Sequence, residues 1–188
     1  ITVANLVPVK GVEVLIKAFE LLLTNYPNWK LMIVGDDKTE YGIHLKNEHL
    51  KKRNQRDKII FTGKQKNVRE LLDISEIYVQ PSLNPGEGAP IGILEAMTNE
   101  KNIIASNVSG IRDQMAAFPD HLFKAGSIVE LSVKLESFMS KSKPENNKLG
   151  KLFYQHVLKN YDITNEKVAI EKYYKKVIGV KIFNKNLI

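Results

Sequence analysis

The chain has 188 residues, 43% of them hydrophobic and none of them cysteine, so disulfide frameworks and thiolate metal sites are excluded and a reducing compartment fits. At this length a single α/β domain can bury roughly 70% of the surface its unfolded chain exposes, and no apolar run reaches the roughly 18 residues of a membrane span. The formal net charge of +7 comes mostly from lysines scattered over polar segments and the tail. That pattern reads as a solvated surface and does not argue for nucleic acid as a partner.

The chain opens on Ile1, already inside an apolar run with no basic leader or small-residue cleavage site, and so reads as a fragment or an excised domain. ITVANL (1–6) is the first predicted strand. After Gly11, apolar residues at Val12, Leu15, Ile16, Phe19, Leu22, Leu23 and Tyr26 make one helical face, stopped by Asn25 and Pro27. KLMIVG (30–35) is the second strand, followed by a polar helix around Tyr41 to Asn54. KIIFTG (58–63) is the third strand, and Val68, Leu71 and Leu72 mark a short helix. EIYVQPS (76–82) is the fourth strand, residues 90–98 a helix, and NIIAS (102–106) the fifth strand. Nearly continuous apolar strands alternating with helices predict a Rossmann-like three-layer domain, a parallel sheet flanked by helices, with ligands at the carboxyl ends of the strands.

From about residue 127 the pattern is helical. Leu149, Leu152, Phe153, His156 and Val157 form one stripe, and Val168, Ala169, Tyr173 and Val177 another. SKSKPENNK (140–148) reads as a loop. The expected organisation is one domain over 1–188, with the core sheet over about 1–125, helices over about 127–178 and a tail at 179–188.

The informative segment is PSLNPGEGAPIGILEAM (81–97). A turn-rich loop with Asn84, Pro85, Gly86 and Gly88 delivers a helix N-terminus to the carboxyl edge of the sheet, and Pro90 suits the first helical turn. Free amides and the positive end of the helix dipole make an anion site, and the two glycines let a phosphate approach the backbone. Glu87 and Glu95 bracket that site. A carboxylate accepts two hydrogen bonds from a vicinal diol such as a ribose, so this string suits a ligand anionic at its centre and hydroxylated on its flanks.

GEGAPIGILEAM resembles the E-x7-E region of the family 4 retaining glycosyltransferases, with Glu87 and Glu95 in the two Glu positions. VANLVPVKGVEVLIKAF (3–19) is similar to that family's first strand, phosphate loop and helix. KLMIVGD (30–36), IIFTGK (59–64), IYVQPS (77–82) and IIASNVSGIRDQM (103–115) match further stretches in order, so the resemblance covers about residues 1–116. It implies the C-terminal, donor-binding half of a GT-B fold, acting with an N-terminal acceptor-binding domain. It also implies sugar transfer with retention from a UDP- or GDP-linked donor, without a metal or other cofactor.

By the same resemblance Lys10 meets the donor diphosphate, together with Gly88, Ala89, Pro90, Ile91 and the free amides that open the next helix, Pro90 itself having no N–H to donate. Glu95 holds the ribose diol and Glu87 lies near the transferred sugar, which makes Lys10 and Glu87 the candidate catalytic pair. Lys64 and Gln65 lie at the nucleotide base. The setting implied is cell-surface polysaccharide or lipopolysaccharide synthesis in the cytoplasm, with peripheral membrane association through the other domain.

Two departures stand out. Asn5 replaces an arginine, the second cation at the diphosphate, and TNEKN (98–102) replaces a Gly and Pro turn, with Glu100 and Asn102 in those places. A sugar-nucleotide epimerase of the same fold, or an inactive remnant that only binds nucleotide, therefore stays open. The histidines at 44, 49, 121 and 156 show no metal-ligand spacing and read as packing or solvated residues. Tyr161, Tyr173 and Tyr174 read as helix packing, not as a platform for bases.

Overall fold

The computed structural model describes residues 1–50, 57–84 and 87–178. The strands are β1 (Thr2–Val3), β2 (Leu31–Val34), β3 (Ile59–Gly63), β4 (Ile77–Gln80), β5 (Asn102–Ser106) and β6 (Leu122–Phe123). The helices are α1 (Val12–Glu20), α2 (Glu40–Leu50), α3 (Val68–Asp73), α4 (Ile91–Thr98), α5 (Ser109–Gln114), α6 (Ile128–Met139), α7 (Lys143–Asn160) and α8 (Ile163–Ile178).

Every strand pair is parallel, in two three-stranded sheets ordered β1-β2-β3 and β4-β5-β6. The two adjoin along β1 and β4, where the Ile1 nitrogen donates to the Ile77 carbonyl at 2.8 Å and the Val79 amide to the Ile1 carbonyl at 2.9 Å. The strand order across the molecule is thus 3-2-1-4-5-6, and it reverses between β1 and β4. Loops leaving β1 and β4 point to opposite faces there and leave a crevice at the carboxyl edge.

The β2, β4 and β5 sequences are apolar at almost every position because both faces are covered. Ile33, Ile77, Val79 and Ile104 face a core shared with α1, α2 and α6, while Val34, Tyr78, Ile103 and Ala105 face one shared with α3, α4, α5 and α7. This is the Rossmann-like three-layer arrangement with a helical C-terminal segment that the sequence predicts.

The differences have local causes. β1 is shorter than ITVANL because the Ala4 amide makes the last ladder bond, to Val34, before Pro8 starts a 3-10 turn at Pro8–Lys10. α1 ends at Glu20 because the next amides bond three residues back, Leu22 to Phe19 and Asn25 to Leu22, a tighter winding that still buries Leu22. Residues 143–148 are the start of α7 and not a loop. Ser142 and Glu145 close a capping box there, and Pro144 sits in the first turn. β6, two residues between turns, is too short to show periodicity. Pro90 is the N-cap of α4, one place before the first helical residue. The extension of the second helix to Asn54 and the tail at 179–188 lie outside the described residues.

The C-terminal stripes divide. Phe153 and Val157 are buried and Leu149 packs at the core's edge, but Leu152 is exposed. On α8, Val168, Tyr173, Tyr174 and Val177 are all exposed, which corrects the packing assigned to them. Periodicity specifies a helical face, and it carries no information about whether anything covers that face. His121 is packed against Phe118, Phe138 and Phe153, its Nδ1 lies 2.9 Å from the Ile103 carbonyl, and burial lowers its pKa below the ordinary 6.5.

The TNEKN departure sits at the far end of α4. Glu100 has φ 54°, in the left-handed region, which explains why a glycine suits that place. The turn is pressed against α7, where a Cβ on Gly150 would lie 1.9 Å from the Glu100 carbonyl oxygen. Asn102 is buried and donates to the Asn146 carbonyl at 3.1 Å. The departure alters a helix-packing turn, away from the crevice. Glu100→Gly should raise the unfolding free energy by about 0.5–1 kcal/mol in urea titration, because strain is relieved against a smaller loss of chain entropy. A destabilised variant would show that the Glu100 side chain makes up for its backbone.

Candidate functional site

The crevice at the β1/β4 switch point is a cavity of about 730 Å³. Three strand ends build it. From β1 come Asn5 and Leu6, then Lys10 on the 3-10 turn; from β2 come Gly35, Asp36 and Thr39; from β3 come Lys64 and Gln65. The loop after β4 closes the other side with Glu87, Ala89, Pro90, Ile91 and Gly92. Of the predicted site residues, Asn5, Lys10, Lys64, Gln65, Glu87, Ala89, Pro90 and Ile91 thus line one cavity. Pro85 and Gly86 lie outside the described residues.

Two predicted residues stand apart from that lining. Gly88 is exposed, and a Cβ built on it would meet nothing within 4 Å. Glu95 lies one turn along α4 from Ile91 with its side chain exposed. Gln65 folds back on its own turn, donating from Nε2 to the Thr62 carbonyl at 2.6 Å.

The loop after β1 and the loop after β4 are clamped together. Gly11 has φ 65°, and a Cβ there would lie 2.0 Å from the Pro81 carbonyl oxygen. The Leu83 amide donates to the Val9 carbonyl at 2.7 Å. From the other side the Gly110 amide donates to the Glu87 carbonyl at 3.2 Å, and a Cβ on Gly110 would fall 1.4 Å from the Gly88 oxygen. Glycine at 11 and 110 is therefore what lets these loops touch.

Within that clamp the Lys10 ammonium donates to Glu87 Oε1 in a partly buried ion pair. The same oxygen accepts from Ser82 Oγ at 2.8 Å, and Gln80 Nε2 lies 3.4 Å away. Gln80 Nε2 also donates to Ser82 Oγ at 2.9 Å, and the Tyr78 hydroxyl donates to Gln80 Oε1 at 2.6 Å. Tyr78, Gln80 and Ser82 are all buried. Burial first, then the charges of Glu95 and Glu87, push the Tyr78 hydroxyl far above its ordinary range, so it remains a donor. Gly92 makes room for it, since a Cβ there would lie 2.3 Å from the Tyr78 oxygen.

The sequence reading missed this polar chain. Its signal is the alternation Tyr78, Gln80, Ser82 on an otherwise apolar strand, which puts three hydrogen-bonding side chains on one face beneath the glutamate loop. Asp36 and Thr39 were missed as well. Thr39 Oγ1 donates to the carbonyls of Leu6 and Asp36 at 3.2 Å each, tying the β1 and β2 loops together.

The amides of Ile91 and Gly92 open α4 without intrahelical partners, and no side chain caps them. A cation, helix-start amides and a carboxylate thus converge on one cleft at the switch point of a doubly wound sheet. That architecture is a Rossmann-like domain whose switch-point crevice presents groups chemically able to meet an anion.

The chain belongs to the family Glycosyl transferases group 1, which matches residues 1–155. It is 34% identical over 109 residues to an uncharacterised glycosyltransferase of Haemophilus influenzae, covering 58% of this chain and 30% of that protein. Among solved structures, a glycosyltransferase from Rickettsia africae ESF-5 superposes with a TM-score of 0.82 at 20% identity, over 99% of this chain and 48% of that one. Anabaena Alr3699/HepE, crystallised with UDP-glucose, gives a TM-score of 0.78 at 18% identity over 94% of this chain and 48% of its own. At such identities the likeness speaks for the fold, which is that of GT-B glycosyltransferases. The chain spans about 30% of the length of the Haemophilus relative and about half of these two structures.

Proposed function

We propose that this chain is the donor-binding domain of a family 4 retaining glycosyltransferase, which transfers a sugar from a UDP- or GDP-linked donor with its partner acceptor domain. The convergence of Lys10, the Ile91 and Gly92 amides and Glu87 on one cavity supports this reading most directly. Departure of the nucleoside diphosphate develops negative charge on its phosphates. With donor bound, the Lys10 ammonium and two preorganised helix-start amides stabilise that charge in the transition state more than in the ground state. Asn5 adds a polar group but no charge, so the electrostatic load rests on Lys10. Glu87 faces the transferred sugar, and Lys64 and Gln65 flank the base.

The reaction proposed is metal-independent. Among the described residues no three His, Asp or Glu side chains come together as a cation site. Acceptor recognition, and any group facing the anomeric carbon from the other side, are assigned to an N-terminal domain. Polysaccharide or lipopolysaccharide assembly on the cytoplasmic side of a membrane suits such a donor, with membrane contact through that other domain. Among the described residues no helix is long and apolar enough to cross a membrane.

Glu95 supplies the test of the nucleotide half of the site. Its exposed carboxylate on α4 is assigned the ribose diol, a contact that forms only with ligand bound. Glu95→Ala should weaken UDP or GDP binding by about 1–3 kcal/mol, as for hydrogen bonds to a charged group. The same change should matter far less for a 2′,3′-dideoxynucleotide, which offers no hydroxyl to either protein. Alanine is the best helix former, so the fold should survive. A cycle over protein and ligand, read by calorimetry, isolates the contact. A coupling energy near zero would remove Glu95 from the site.

A further inference from the structure

We propose that Tyr78, Gln80 and Ser82 form a positioning relay that holds Glu87 in the cavity independently of Lys10, so that Lys10 is free to move from Glu87 to a ligand phosphate. The inference rests on the donor-binding reading above and concerns residues to which that reading assigns no role.

The hydrogen bonds have one consistent direction. Glu87 is acceptor-only as a carboxylate, so whatever touches Oε1 from the strand must donate. Ser82 Oγ does so at 2.8 Å, which commits its only proton to Glu87 and leaves its lone pairs to accept from Gln80 Nε2 at 2.9 Å. Turning the Gln80 amide over would set its carbonyl oxygen against both Ser82 and Glu87, two groups then without a proton to share. The Tyr78 hydroxyl opposes that flip: it donates to Gln80 Oε1 at 2.6 Å, and although its oxygen could accept from a turned amide, its own proton would lose that acceptor. Tyr78 is fully buried and does not line the cavity, yet it fixes which end of Gln80 points to the carboxylate. The relay therefore runs from the core to the site and delivers donors at its outer end.

Glu87 is fixed at its main chain too, through the Gly110 amide at 3.2 Å. With its carbonyl held by the Gly110 amide and one carboxylate oxygen by the buried Ser82 hydroxyl, its position does not depend on the lysine. Lys10 is the more exposed partner, with 25% of its side chain accessible against 16% for Glu87, and it sits on a flexible stem that can change acceptor without moving the carboxylate. A ligand phosphate brings the charge that replaces Glu87 as the ammonium's partner, and Glu87 stays behind to meet the sugar hydroxyls.

The experiment compares UDP-glucose with UDP, and GDP-mannose with GDP, on the full chain by calorimetry. The sugar contribution is the ratio of the two affinities within the pair that the wild type binds. Ser82→Ala and Tyr78→Phe should each reduce that ratio by about tenfold, the low end for hydrogen bonds to a charged group, while leaving nucleoside diphosphate affinity within about twofold. Lys10→Ala should lower both affinities together and leave the ratio intact. If Tyr78→Phe, the change deeper in the core, does not fold, Ser82→Ala alone decides, since it removes one small hydroxyl and leaves Tyr78 in place. A ratio unchanged in folded Ser82→Ala, or a parallel fall for both ligands, overturns the relay. A ratio that collapses in Lys10→Ala overturns its independence of the lysine. A wild type that binds none of the four ligands overturns the donor reading itself, and the relay with it.

Discussion

Gly11→Ala should lower the unfolding free energy by about 3 kcal/mol or more and should take ligand affinity with it. Two effects add at this residue. The backbone at φ 65° is left-handed, which costs about 1–2 kcal/mol for a residue with a Cβ. That Cβ would also lie 2.0 Å from the Pro81 carbonyl oxygen, and a backbone atom cannot step aside as a side chain can. Forced separation of packed groups costs about 1–3 kcal/mol more. The neighbouring Leu83-to-Val9 hydrogen bond at 2.7 Å is the clamp that separation would break. Urea unfolding and UDP titration of the same variant read both consequences. Gly88→Ala is the control, since its Cβ meets open space within 4 Å, and its stability should change by less than about 0.5 kcal/mol. A loss below about 1 kcal/mol in Gly11→Ala would show that the loops after β1 and β4 are not held against each other.

Lys10→Ala should weaken binding of UDP or GDP by about 1.5–3 kcal/mol, the range for charge-assisted hydrogen bonds, and should affect the corresponding monophosphate less. The lysine's present partner strengthens the expectation. Without Lys10, Glu87 keeps its strand-side donors but presents an unneutralised carboxylate beside the phosphates, so a favourable contact is replaced by repulsion. Calorimetry with diphosphate and monophosphate in parallel separates the second phosphate from the rest of the nucleotide. A change under about 0.5 kcal/mol, or equal losses for both ligands, would make Lys10 a surface lysine that happens to pair with Glu87.

Much of the fold was legible because its rules are local. Apolar runs such as LMIV and NIIAS, separated by helical periodicities, specify parallel strands buried on both faces, and they appear at β2 and β5 as read. The string from Pro81 to Met97 likewise specified a turn and a helix start with Glu87 at the cavity, while Glu95 stands apart from the lining. Most of the residues assigned to the site from it, together with Lys10 and Asn5, line a single cavity. Element ends were less legible. Whether a helix stops at Glu20 or Asn25, or whether residues 143–148 wind into α7, depends on i−3 bonding and a capping box worth about 1 kcal/mol each.

By itself, then, the sequence determined the alternation of strands and helices, the placing of ligands at the carboxyl ends of the strands, and the residue types able to meet a phosphate and a diol. Those are consequences of period, turn chemistry and functional groups, all readable within a few residues. Only the tertiary structure decided which groups touch across long separations. It paired Lys10 with Glu87, threaded Tyr78, Gln80 and Ser82 beneath that carboxylate, and pressed Gly11 and Gly110 against carbonyls from distant loops. It also left Val168, Ile170, Tyr173, Tyr174 and Val177 of α8 exposed, where periodicity alone implied packing. The physical reason is the same in each case: a hydrogen bond or a van der Waals contact acts over a few ångströms in space, and sequence spacing does not encode which surfaces come that close.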